Sequence, residues 1–469
     1  MANKRQRDPE AIRERGQLAT AGPEELERFL AEHPDTQFVD AVFIDLCGFV
    51  RGKRYPRAEA EKLFNSGLQI PYSVYLLDVT GANLDPCGRG FSDGDPDGTA
   101  LPLSGTLAPV PWSSRPGAQV LMTLLDQGGR PCTAEPRNIA LRVAERFREL
   151  GLRPVTAFEL EFYLIDRERD ADGRPQPVIS PATGEREKST QVYGIEELGA
   201  FSGFFDDVEA ACLAQRVPAT VTTSEFAPAQ YEINLRHMEP PITSADHCAL
   251  LRNIVKTIAK QHGMEATFLS KPFPDETGNG MHVHLSLLEE SGRNVFDDGT
   301  ANGSELLRHA VGGLQATMAE GMALFAPNIN AYRRFGPNLF VPVTKSWGFN
   351  NRSVAFRIPG GPGKDRRIEH RVAGAEANPY LVLAAVLAGA HHGIVDRLDP
   401  GPPSTGNAGA ETDPDLPLSW EKALERLEGS DILRAYFGDE YVRLYCATKR
   451  KEMERFNAHV SPLEYEWYL

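Results

Sequence analysis

The chain has 469 residues, 41% hydrophobic and 25% charged, and its 50 basic and 65 acidic side chains leave a formal net charge of −15. That length holds one large domain or two to three ordinary ones, and the acidic balance argues against a general nucleic-acid binder. No apolar run reaches the roughly 20 residues of a membrane helix, the polar N-terminus lacks a secretory apolar stretch, and Cys47, Cys87, Cys132, Cys212, Cys248 and Cys446 form no CxxC pair. A cytoplasmic protein with free thiols and no membrane partner is therefore expected.

In chain order, residues 1–34 read as a polar leader with one helical pattern, PEELERFLAEHP, ended by Pro34. Phe38 to Leu46 and Val50 to Lys53 predict two strands around Cys47-Gly48, and Tyr72 to Leu77 predicts a third. Glycine, proline and aspartate dominate 81–117, which predicts a loop-rich stretch closed by a strand over Gln119 to Leu125. Together these make a small strand-rich domain over 35–128. Glu135-Pro136 opens a helix with Ile139, Val143, Phe147 and Leu150 at helical spacing, and a second domain runs over 129–469. Helical patterns at about 203–216, 244–262, 304–325 and 376–396 alternate with strands at 155–165, 229–236, 264–270, 281–288, 353–358 and 367–372. Several strands follow one another without a helix between them, so an α+β fold is expected rather than a doubly wound sheet. Residues 398–417 predict a surface loop.

Four segments carry chemistry. In Phe158-Glu159-Leu160-Glu161-Phe162, strand alternation puts two carboxylates on one face and the apolar residues on the other. Like charges so close, among hydrophobic neighbours, call for cations. Glu225 and Glu232 flank Pro228 in SEFAPAQYEIN and extend the acidic set. In GNGMHVHLS, His282, His284 and Ser286 share one strand face; imidazoles so placed can ligate a metal or bond a phosphate, and Gly278 and Gly280 can let backbone amides approach an anion. The fourth segment, NNRSVAFRIP followed by Lys364, Arg366, Arg367, Glu369 and Arg371, concentrates guanidinium groups suited to phosphate and carboxylate. A further basic pair is Arg333-Arg334. Oxygen ligands with an imidazole favour magnesium or manganese, and phosphoryl transfer from a nucleotide is the chemistry expected. No GxxxxGK[ST], GxGxxG or HRD/DFG signature is present.

The motifs FELEF, SEFAPAQYEINL, KPFPDETGNGMHVHLS, NINAYRRF, NNRSVAFRIP and RRIEHRVAGAEANPYL stand in the order and spacing of the glutamine synthetase superfamily, which the chain resembles from about residue 35 onward. The resemblance implies a small β-grasp-like N-terminal domain and a large α/β catalytic domain with a curved antiparallel sheet, assembled as a homo-oligomer, commonly a dodecamer of two hexameric rings. It implies that Glu161, Glu225 and Glu232 hold one divalent cation and Glu159, His282 and Glu369 a second. Arg334 and Arg371 would hold glutamate and its phosphorylated carboxylate, with Gly278 at the amino-acid end. His284, Ser286, Arg352, Arg357 and Lys364 would meet ATP, with Arg352 also suited to the transferring phosphate. The implied reaction converts the glutamate γ-carboxylate to γ-glutamyl phosphate, which an amine then attacks.

Two positions depart from the glutamine-forming members. Their flap glutamate, which deprotonates ammonium, is replaced by Phe340 in GPNLFVP, and an asparagine near glutamate is replaced by Thr277. A phenyl ring cannot take a proton but can line a pocket for a carbon chain. With YRRFGPNLFVP, KSWGFNNR and the ending YEWYL, these departures make the chain most similar to the branch that ligates glutamate to putrescine. The alternative is a glutamine-forming enzyme using ammonia. Asp78 is the candidate carboxylate for the amine's cationic end, and the amine pocket is expected around Phe340 and Trp347.

Overall fold

The computed structural model describes residues 19–188 and 192–469; the first 18 residues of the expected leader lie outside them. The PEELERFLAE pattern forms a helix, Pro23–Glu32, which buries Leu26 and Phe29.

A first sheet of six strands comprises β1 (Phe38–Ile44), β2 (Val50–Pro56), β3 (Leu68–Pro71), β4 (Asp97–Pro102), β5 (Ala108–Pro109) and β6 (Gly117–Leu125). The order is β2-β1-β6-β4-β3, with β5 also on β6. All nine residues of β6 are buried, as its central place requires. β1 pairs with it in parallel, and every other pairing in this sheet is antiparallel.

One expectation fails here. Tyr72 to Leu77 has strand composition, yet Tyr72–Tyr75 forms a 3₁₀ turn, because the Ser73 amide and hydroxyl donate to Asp95 at 3.3 and 2.7 Å. The stretch 81–117 is loop-rich as expected, with β4 and β5 as short strands within it.

The second sheet has eight strands: β7 (Leu152–Asp166), β8 (Ala219–Ser224), β9 (Gln230–Leu235), β10 (Met264–Thr267), β11 (Met281–Glu289), β12 (Trp347–Phe349), β13 (Phe356–Ile358) and β14 (Ile368–His370). The order is β12-β13-β14-β11-β7-β9-β8, with β10 on β7, and all pairings but β12 with β13 are antiparallel. β8 and β12 have no counterpart among the sequence expectations. The expected helices form as Ser202–Ala214, Pro241–Gln261, Glu305–Phe325 and Pro379–Asp396. The last is the one helix among the described residues long and apolar enough to cross a membrane, and 83% of it is buried inside this chain as a core helix. It crosses Glu305–Phe325 where Gly313 faces Gly389 and Gly393; a Cβ on Gly313 would lie 2.0 Å from the Gly389 carbonyl oxygen. The architecture is α+β, as expected.

Candidate active site

Cross-strand register assembles the site. β7 is central, and its alternation buries Phe158, Leu160 and Phe162 completely while Glu159 and Glu161 project from the other face. Glu159 stands opposite His282 on β11, Glu161 opposite Glu232 on β9, and His284 opposite Glu369 on β14, which in turn faces Arg357 on β13. Residues far apart in the chain thus meet on one face of one sheet. Glu225 comes from the turn between β8 and β9.

The ligand atoms of Glu159, His282 and Glu369 lie within 4.8 Å of one another, and so do those of Glu161, Glu232 and His282. His282 sits between the clusters, with Nδ1 3.2 Å from Glu159 and 3.8 Å from Glu369, and Nε2 3.9 Å from Glu161. Glu225 stands outside both groups. Burial and then the charge of Glu161 push the Glu225 carboxyl up to about 8, against the pull of Arg352. Burial and then Glu159 and Glu161 push Glu232 well above the carboxylate range. Glu369 is buried too, but the charges of Arg371, His282 and His284 outweigh that and hold it down at about 2. Repelling carboxylates among hard-oxygen and imidazole donors fit divalent cations such as magnesium or manganese, which would relieve the repulsion.

Beside the clusters lies a wall of arginines. Arg334 and Arg371 are buried, Arg357 partly so, and among the described residues the Nε of each lacks a hydrogen-bond partner. Arg357 donates to Glu369 at 2.7 Å and to Asn350 at 3.0 Å, and Arg371 also donates to Glu369. Arg334 donates to the Val372 carbonyl at 3.1 Å and, among the described residues, forms no ion pair, so its buried guanidinium suits an anion. Gly278 makes its passage possible: a Cβ there would lie 2.3 Å from Arg334 Cγ and 2.6 Å from the Ser270 carbonyl oxygen. The Gly280 amide donates to Glu161 at 2.6 Å. Thr277 is tied back by a 2.5 Å hydrogen bond to Gln230, whose amide nitrogen reaches the Gly278 carbonyl at 3.1 Å.

His284 lies 2.8 Å from Glu159 through Nε2, and its Nδ1 accepts from Arg367 Nε at 3.0 Å. The ring therefore sits against the Glu159–His282–Glu369 cluster. Ser286 donates to the Arg366 carbonyl at 2.9 Å. Arg352 and Lys364 are exposed at the rim.

Three placements differ from expectation or extend it. Trp347 is 1% exposed, and its indole N–H donates to the Gly401 carbonyl at 3.3 Å, so it is a core residue; the cavity it borders, with Thr344, Lys345 and Asp399, is not lined by Phe340. Asp78 is buried with both carboxylate oxygens engaged, by Thr80 and Ala82 on one side and Arg455 on the other. Burial opposes these contacts, but together they hold its pKa below the usual range. Phe340 is 61% exposed and packs against Phe226, 45% exposed, with ring centroids 6.1 Å apart. Sequence reading overlooks Phe226, although it directly follows Glu225 and so had to lie beside the site.

The fold, and a sheet face gathering carboxylates, imidazoles and arginines, are those of the carbon–nitrogen ligases that work on glutamate. Residues 133–468 match the glutamine synthetase catalytic domain, and the chain belongs to the glutamine synthetase family. It is 39% identical to the γ-glutamylputrescine synthetase of Escherichia coli strain K12, covering 96% of this chain and 95% of that one. It is 33% identical to the glutamate–isopropylamine ligase of a Pseudomonas species, covering 94% and 96%. The solved structure of GmaS in its ADP complex superposes with a TM-score of 0.79 over 94% of this chain and 98% of that one; at 24% identity it shows the fold.

Proposed function

We propose that this protein is an ATP-dependent glutamate–amine ligase. It joins the γ-carboxylate of L-glutamate to putrescine or a related small amine through γ-glutamyl phosphate, releasing ADP and phosphate. The observation that carries the amine assignment is the exposed Phe226–Phe340 pair beside Glu225, which offers aromatic surface to a carbon chain where an ammonia-using enzyme needs a carboxylate. Similarity to ligases named for putrescine and isopropylamine supports the same reading.

In this reading Glu161, Glu225 and Glu232 hold one divalent cation, magnesium or manganese, and Glu159, His282 and Glu369 the other. When bound, these cations supply charge neutralisation for the nucleotide's phosphates. Arg334 and Arg371 orient glutamate's carboxylates, the Gly278 backbone contacts its amino-acid end, and Arg352, Arg357, Lys364, His284 and Ser286 face ATP. Arg352, exposed beside Glu225, meets the phosphoryl group in transfer, where a guanidinium offsets developing charge. The division into a leader over 1–34, a small domain over 35–128 and a catalytic domain over 129–469 belongs to the same proposal, as do a cytoplasmic location and assembly into rings. Incubation with ATP, magnesium, glutamate and putrescine should yield γ-glutamylputrescine by mass spectrometry in step with phosphate release. Phosphate release without any glutamyl amide would refute the assignment.

A further inference from the structure

A cavity of about 480 Å³ opens between the turn joining β1 to β2 and the helix Pro241–Gln261, and none of the residues placed in the active site lines it. Its charges do not balance. Arg252, 7% exposed, donates to the carbonyls of Gly48, Ala375 and Ala377 at 3.1, 3.1 and 2.9 Å, and no carboxylate among the described residues pairs with it. Among the described residues no hydrogen bond or ion pair reaches the Lys256 ammonium, which lies 5.8 Å from the centroid of the Phe268 ring. Glu376 is the one carboxylate lining the cavity, already engaged by Ser270 at 2.5 Å and Asn328 at 3.1 Å. Lys449 is neutralised by Glu452 at 3.0 Å. Two cations thus face one carboxylate, inside a chain whose net charge is −15.

The walls behind these cations are apolar, with Phe268, Leu324 and Leu381 buried, and Phe49, Val79 and Leu269 are exposed at the mouth. A partly buried ammonium without a partner is costly, and burial with the charges of Arg252 and Lys260 lowers its pKa to about 8. An anionic head on Lys256 and Arg252, with an apolar body against Phe268 and Leu269, satisfies both features. The volume falls within the roughly 300–1,000 Å³ of small-molecule sites.

We propose that this recess is a binding site for a small organic anion, a carboxylate or phosphate carried on an apolar body, separate from the ligase site. The assignment does not depend on the proposed reaction, because its test contains no ATP, glutamate or amine. Isothermal titration of the full chain with hexanoate and with hexyl phosphate separates the two head groups, and hexanol serves as the uncharged control. At least one of the two anions should bind once per chain, at least tenfold more weakly in Lys256→Ala and in Leu269→Glu, and nearly unchanged in Lys256→Arg and in Phe340→Ala. Because Lys256 has no partner to lose, Lys256→Ala should keep its melting temperature and basal ligase activity. Binding of neither anion, equal binding to Lys256→Ala, or hexanol binding as tightly would overturn the proposal.

Discussion

Glu159 and Glu161 are one strand step apart, yet each joins a different ligand cluster, and His282 bridges them. Without a cation the face is strained, since Glu225 and Glu232 are pushed above the ordinary 4.5 by burial and by their neighbours' charge. The sign follows from linkage. A carboxyl whose folded pKa is raised holds a proton that the unfolded chain has already lost, so the cation-free protein loses stability as pH rises from about 4.5 through about 8. A cation must displace that proton below pH 8 and need not above it. Magnesium affinity should therefore climb with pH by up to about tenfold per unit for each proton displaced, and climb less steeply in Glu225→Gln, as read by calorimetry. Affinity independent of pH from about 6 to about 8 would contradict this electrostatic picture.

The strands impose the site's geometry, and their register explains what could be read in advance. Alternation around Glu159-Leu160-Glu161 and around His282-Val283-His284 is a local property, so both faces were legible from residue order. Tyr72–Tyr75 was not, because the bond from Ser73 to Asp95 that holds the turn spans 22 positions and overrides strand propensity. The Phe226–Phe340 contact likewise joins segments more than a hundred residues apart, and Trp347 gave no local sign that it would be buried. Among helices the sensitive place is the Gly313 crossing, where an added methyl would strike backbone rather than a movable side chain. Gly313→Ala should cost about 1–3 kcal/mol, seen as a melting temperature several degrees lower. An unchanged melting temperature would mean that the two helices do not pack this closely.

At the scale of the molecule, the C-terminal helix Pro462–Tyr468 leaves Leu463, Tyr465, Trp467 and Tyr468 exposed, with Leu469 beyond it. Exposed apolar clusters of this kind suit association, and the proposed homo-oligomer would cover this one. Deleting residues 460–469 should reduce the particle mass measured by light scattering, whereas an unaltered mass would place the assembly contacts elsewhere.

The central claim is that an aromatic pair, in place of a proton-accepting flap carboxylate, turns a glutamine synthetase fold toward a carbon-bearing amine. Its most direct test is the ratio of kcat/KM for putrescine to that for ammonia, measured by phosphate release in wild type and in Phe340→Ala. A ratio of at least about 100 is expected in wild type, falling about tenfold or more in the variant as ring contact with the chain is lost. A wild-type ratio near one, or one that Phe340→Ala leaves unchanged, would contradict it.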